Sequence, residues 1–340
     1  MSRFSQTAVT VLGLFLILII GLWICGLPIG KSLALIYQGA FGDGYAWSRT
    51  LVKATPLILC GLGVVVAWRG GLYNIGGEGQ FIMGALLAGI WAKWLVSQSW
   101  GSFGIAALIL ASFIGGALWA SVAAWLYIKR GVEAVISTLL LNFVAIQFLD
   151  FAVSGPLQEA RKQVPQSDAL PDGLMLAKFN PRADLHIGVL VAVVIAMAVF
   201  VYLLKTKDGF KLRVVGENPR VARANRFPAS AIHFRALLLS GGLCGLAGGV
   251  EFVGVTGYLG KGFPQQWGFL AIPVALLAGL HPLWVLVSAV YFGALFAGTQ
   301  NLASFTPAGT SLVYLIQGAA VLGLVGLRFW TKRPVRPEVD

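Results

Sequence analysis

The residues best able to do chemistry are few, and they sit inside apolar runs. The densest cluster is Asn74-Ile-Gly-Gly-Glu-Gly-Gln80, one carboxylate and two amides interleaved with three glycines. Gly76, Gly77 and Gly79 each lower helix propensity by about 1 kcal/mol relative to alanine. The spacing therefore predicts a broken or re-entrant segment, tolerated in an apolar setting only where protein or water covers the freed backbone groups. Glu78 and Gln80 then either face a polar cavity or bond to a neighbouring helix packed through small residues. A second carboxylate, Glu251, lies in Gly248-Gly-Val-Glu251-Phe-Val-Gly254 and either lines a path or pairs with a buried donor. Asn142, Gln147 and Asp150 share a later run, but five residues separate the first two, a poor match to one helical face. Gln265, Gln266, Gln300, Asn301 and Gln317 fall mostly near the ends of such runs.

No set of residues reads as a catalytic centre. Ser–His–Asp, H-E-x-x-H and carboxylate-rich metal patterns are missing from the sequence, so no catalytic residue, metal or cofactor is predicted. Gly254-Val-Thr-Gly-Tyr-Leu-Gly260-Lys261-Gly262 resembles a phosphate loop only loosely. Val255 and Gly262 stand where that pattern needs glycine and a hydroxyl residue. Cys25, Cys60 and Cys244 lie in apolar runs and show no ligand spacing with His186, His233 or His281.

One polar loop has a clear local design. In Gly216-Glu-Asn-Pro-Arg-Val-Ala-Arg-Ala-Asn-Arg226, Asn218 suits a helix N-cap and Pro219 the first helical position. Arg220 and Arg223 recur at helical spacing, with Val221, Ala222 and Ala224 between them. Such a short helix fits either a groove on a partner protein or an anionic lipid surface.

The elements that must carry these groups follow from composition. Of 340 residues, 58% are apolar and only 11% charged, against about 25% charged in soluble chains. Lipid is the solvent for most of this chain, which excludes a disordered protein, a disulfide scaffold and a soluble enzyme. Spans of about 20 apolar residues are predicted at 7–27, 50–68, 72–95, 103–128, 134–154, 186–204, 236–257, 267–280, 283–301 and 310–328. The fold class is all-α, a polytopic membrane protein with about ten helices, the first an uncleaved span. Loops at 155–185 and 205–235 separate them.

The net charge of +12 belongs to orientation and not to nucleic acid. The 205–235 loop carries eight Lys or Arg against Asp208 and Glu217, whereas 155–185 balances four basic residues with four acids. The positive-inside rule then puts both termini and 205–235 in the cytoplasm, and 155–185 outside.

These motifs are familiar together. Asn74-Ile-Gly-Gly-Glu-Gly-Gln80 followed by Gly84-Ala-Leu-Leu-Ala resembles the signature of permeases in ATP-binding cassette (ABC) importers of the ribose/branched-chain amino acid superfamily. The Asn-Ile-Gly-x-Glu-Gly-Gln form resembles the nucleoside-type branch, which works with basic membrane lipoprotein-type binding proteins. Ser240-Gly-Gly-Leu-Cys-Gly-Leu-Ala-Gly-Gly-Val-Glu251 and Gly268-Phe-Leu-Ala-Ile-Pro-Val-Ala-Leu-Leu-Ala-Gly279 are similar to later spans of that family, so the likeness covers about 50–328.

The resemblance implies a single transmembrane permease domain over 1–340, in the bacterial inner (plasma) membrane. It makes Gly216, Glu217, Asn218, Pro219, Ala222 and Ala224 the coupling segment toward a cytoplasmic ATP-binding cassette ATPase. Asn225-Arg226-Phe227-Pro228 departs from the small-residue turn more usual after it. Asn74, Glu78, Gln80 and Glu251 become candidates for the translocation path. A second permease subunit, identical or related, and an extracytoplasmic substrate-binding lipoprotein are implied partners. A small-molecule substrate is implied, nucleosides ahead of sugars, riboflavin-type compounds or amino acids. An ion-coupled secondary carrier is the competing reading, with Glu78 and Glu251 as its thin support.

Overall fold

In the computed structural model, residues 26–95, 101–180 and 184–305 are described, with residues 182 and 318 and part of 13–24 beside them. Ten of the 21 residues of the predicted first span and all but one residue of the last lie outside the described residues. The chain divides into two compact units, residues 1–50 with 293–340, and residues 51–292.

In the first unit, α1 (Ile29–Phe41) is a helix of 13 residues, too short to be read as a span and not predicted. The first turns of α2 (Gly44–Arg69) and the last turns of α11 (Pro282–Ser304) belong to the same unit. Asn301 Nδ2 donates to the Leu35 carbonyl at 2.8 Å, Thr50 Oγ1 to Ala40 O at 2.9 Å, and Arg49 to Gln300 Oε1 at 2.8 Å.

The second unit holds the rest of α2 and most of the other predicted helices. These are α3 (Gly77–Leu95), α4 (Gly101–Arg130), α5 (Ala134–Val153), α6 (Gly188–Lys205), α7 (Lys207–Glu217), α8 (Pro219–Ala224), α9 (Ala229–Glu251) and α10 (Trp267–Leu277). Six helices among the described residues are long and apolar enough to cross a bilayer: α2, α4, α5, α6, α9 with its extension to Thr256, and α11. Burial separates them. The most apolar stretches of α2 and α9 are 89% buried, against 33% in α4 and α5 and 28% in α6. The former make the core, and the latter present Leu110, Leu118, Leu140, Phe143, Phe151 and Val194 outward as a face suited to lipid.

Small residues let the core helices close. Gly84 on α3, Gly116 on α4 and Gly241 and Gly245 on α9 meet backbone to backbone, and a methyl group on any of them would collide with the neighbouring chain. Without a hydrophobic force between helices in lipid, such close approach supplies the van der Waals contact that holds them.

The 155–186 stretch is not a free loop. Backbone N–H groups of Ser167, Leu170 and Leu176 bond to the carbonyls of Leu259, Gly257 and Val253. A short antiparallel pair, β1 (Lys178–Asn180) and β2 (Leu185–His186), leads into α6. Beyond Glu251 the helix widens into a π turn over Phe252–Thr256 and stops at Gly257, φ 67°. His186 packs on this turn: a Cβ at Gly254 would lie 2.8 Å from its ring. His186 Nδ1 accepts the Gly188 N–H at 3.1 Å. The predicted span at 186 thus starts two residues later as a helix.

Candidate functional site

The 70–80 segment does break the helical path. α2 ends at Arg69, Gly71 turns the chain at φ 78°, and residues 73–75 run without helix until α3 begins at Gly77. The freed backbone groups are met by side chains from α5. Ile75 N–H donates to Thr138 Oγ1 at 3.1 Å, Gly79 N–H donates to Asn142 Oδ1 at 2.8 Å, and Asn142 Nδ2 donates to Ile75 O at 3.0 Å. Thr138 and Asn142 are each 1% exposed and lie four residues apart, on one helical face.

Asn74 closes the node from within. Its Oδ1 accepts the Gly76 N–H at 2.9 Å, and its Nδ2 donates to Gln80 Oε1 and Ser240 Oγ, both at 2.9 Å. Gln80 Nε2 donates back to Asn74 Oδ1 at 3.2 Å. Ser240 brings α9 into the same network. A buried network satisfied in this way specifies one arrangement, because each unmet group would cost about 1–3 kcal/mol.

Glu78 does something different. Its carboxylate accepts the Gln266 N–H at 3.0 Å and the Gly268 N–H at 2.8 Å. Those groups open α10, and Gln266 stands there in the left-handed region at φ 62° with no cap of its own. Glu78 also lies in the first turn of α3. The carboxyl group therefore sits where two helix N-termini converge, an arrangement whose orphan N–H groups call for an acceptor.

Glu251 is not part of this node. It lies eleven residues beyond Ser240 on α9, roughly 16 Å along the axis, buried to 3% exposure at the mouth of the π turn. Lys53 of α2, whose Nζ stands 5.4 Å from the centre of the Trp267 ring, contributes charge to its surroundings. Lys53 went unnoticed in the sequence because a single lysine near the start of an apolar run looks interfacial. Gln147 is exposed and separate from Asn142.

The basic loop folds into two helices. Thr206 caps α7 by accepting the Gly209 N–H at 3.1 Å. Asn218 ends α7 and starts α8, its Oδ1 accepting the N–H groups of Arg220 and Val221 at 3.1 Å, with Pro219 at the first turn as predicted. Arg226 makes the following turn at φ 54°, the conformation that a glycine would adopt freely. Gly216 and Ala222 face inward: Ala222 is 1% exposed, and Gly216 packs on the backbone of residues 69–71. Glu217, Asn218, Pro219, Arg220, Val221, Arg223 and Ala224 face outward.

A helical membrane protein with a buried polar node and a short capped helix on a basic loop suits a transport subunit. The chain belongs to the family described as the branched-chain amino acid transport system permease component, which matches residues 47–325. It is an ABC transporter permease subunit, a multi-pass protein of the inner membrane, and the proteins of this family are not themselves enzymes. It is 34% identical to the glucose ABC transporter permease protein TsgB13 of Haloferax volcanii over 87% of this chain and 80% of that one. It is 30% identical to the guanosine ABC transporter permease protein NupP of Bacillus subtilis over 88% of this chain and 87% of that one. The nucleoside permease NupB of Lactococcus lactis subsp. cremoris is 24% identical over 78% and 76% respectively.

Proposed function

We propose that this chain is one of two permease subunits in an importer of nucleosides, powered by a separate cytoplasmic ATP-binding cassette ATPase and supplied by an extracytoplasmic binding lipoprotein. The observation that carries the energy-coupling part is α8. An asparagine-capped helix exposes Arg220, Val221, Arg223 and Ala224 on the most basic loop of the chain. Glu217, Asn218 and Pro219 continue that docking face, while Gly216 and Ala222 hold it on the body of the protein. ATP closure of the ATPases shifts this segment between two states, and differential affinity for those states drives alternating access.

The topology that accompanies this reading has about ten spans, with both termini and 205–235 in the cytoplasm and 155–185 outside. Asn74, Glu78 and Gln80 belong to the wall of the translocation path, fixing how α3 and α10 meet. Glu251, beside the π turn and under the influence of Lys53, is its second polar station.

Guanosine and nucleoside permeases among the relatives support a ribose-bearing neutral substrate. Glucose is the second reading, favoured by the 34% identity to a glucose permease. Uptake of radiolabelled guanosine and glucose into vesicles containing the purified complex separates them. ATP-dependent guanosine uptake that excess glucose does not inhibit is expected. Glucose uptake alone would install the sugar reading, and uptake driven by an ion gradient without any ATPase would install a secondary carrier.

A further inference from the structure

Arg69 has more partners than a residue at a helix end needs. It is the last residue of α2, and Gly71 N–H bonds back to Trp68 O to close that helix. Its Nε donates to the Leu280 carbonyl at 3.0 Å, and one terminal nitrogen reaches the Gly279 carbonyl at 3.5 Å. Gly279 and Leu280 follow directly on α10, at φ 65° and 56°, and Leu280 N–H bonds back to Ala275 O within that helix. The guanidinium therefore sits at the carboxyl end of α10, where a cation is favoured and the last carbonyls need donors. The other terminal nitrogen lies 3.6 Å from Glu217 Oε1, the last residue of α7.

Three helix ends, those of α2, α7 and α10, thus meet on one side chain. Backbone contact reinforces the junction. Gly216 lies against Arg69, Gly70 and Gly71 so closely that no larger residue fits without displacing the chain. At its opposite end α10 is bonded to Glu78. The α7–α8 segment is therefore linked through Arg69 to an eleven-residue helix whose far end is bonded to Glu78.

We infer that Arg69 is the relay through which movement of the α7–α8 segment reaches α10 and, through α10, Glu78. This rests on the reading of α8 as the ATPase docking segment. The ion pair with Glu217 is exposed, its carboxylate side chain 68% accessible, and contributes little to stability by itself. Its value is directional: it ties the segment that would move to the donor that grips α10. Arg69 is a positioning residue, so loss of its side chain uncouples two sites that each remain intact.

The test uses the assembled permease–ATPase complex in vesicles, with a cysteine replacing Gln265 beside the start of α10 as a reporter. Trapping the ATPases with ATP and vanadate is expected to change the rate of maleimide labelling at that cysteine by roughly tenfold. Arg69→Gln is expected to abolish the change while ATPase binding and ATP hydrolysis persist, and Arg69→Lys to restore only part. A full change in Arg69→Gln overturns the relay, as does a complex without the substitution whose labelling ignores nucleotide. Should Arg69→Gln not accumulate, Arg69→Lys, which keeps the charge but loses the forked contact with Gly279 and Leu280, is read in its place, and an undiminished response there overturns the relay as well. Val221→Glu and Ala224→Trp test the docking reading separately. If both still bind the ATPase, that reading falls whatever Arg69 does.

Discussion

Three residues repay comparison at the scale of single side chains. Asn142→Ala removes partners from the buried Gly79 N–H and the half-buried Ile75 carbonyl, at about 1–3 kcal/mol for a fully buried unmet group. The expected outcome is a clear fall in the thermal midpoint of the purified protein, and an unchanged midpoint would show that water fills the gap. Glu78→Gln keeps an acceptor oxygen but turns an amide donor toward the N–H pair of Gln266 and Gly268. Loss of the same order is expected, with Glu78→Asp too short to restore it. His186 adds a pH dependence. Burial against the π turn pulls its pKa down to about 4, the Lys178 charge acting the same way and Asp184 opposing. The folded protein therefore holds it neutral, and stability falls as pH drops from about 6.5 to about 4, levelling below. The thermal midpoint of His186→Gln should fall less over that window than that of the unsubstituted protein, and equal slopes would exclude His186 as the source. The carboxylate and amides around the node could be singled out in the sequence because polar groups amid apolar ones stand out. Their partners could not: Thr138 and Ser240 look ordinary until the chain is folded, although the four-residue step from Thr138 to Asn142 was a usable signal.

Among the elements, long apolar helices were the legible part, since length and hydropathy alone define α4, α5, α6 and α11. The break before α3 was also legible from the low helix propensity of its glycines, although Gly77 and Gly79 lie inside the helix, packed closely against Gly268 and Asn142. Missed were α1, whose thirteen residues mix Lys31, Ser32 and Gln38 with apolar groups, and α7, which carries five charged residues in eleven. Neither has the composition of a span. α8 was legible from its cap, yet the direction of its side chains was not. Gly216 and Ala222 are inward packing positions, so bulky replacements there should damage the fold before they damage docking. Gly216→Val is expected to lower both yield and thermal midpoint, while Ala224→Trp keeps both and loses the ATPase in co-purification. The reverse pattern would mean that the loop is rearranged in the membrane.

For the whole molecule, charge asymmetry is the argument for the proposed orientation, which the helices leave open. Single cysteines introduced at Asp168 and at Arg220 should be labelled by impermeant maleimide from opposite sides of the membrane. Labelling of both from outside would refute the in–in topology. Mass spectrometry of the gently solubilised chain is expected to recover a P-loop ATPase, together with a related permease if the membrane pair is unlike. The attachment of the 155–186 segment has a different kind of consequence. Ser167, Leu170 and Leu176 hold it to residues 253–259 through main-chain groups, which every amino acid except proline supplies alike. Side chains such as Ser167, Asp168 and Glu159 also bond to backbone N–H groups there, so it is the remaining exposed positions of this face that are free to diverge, to take up new recognition surfaces or to accept an engineered tag, while the helices beneath stay as they are.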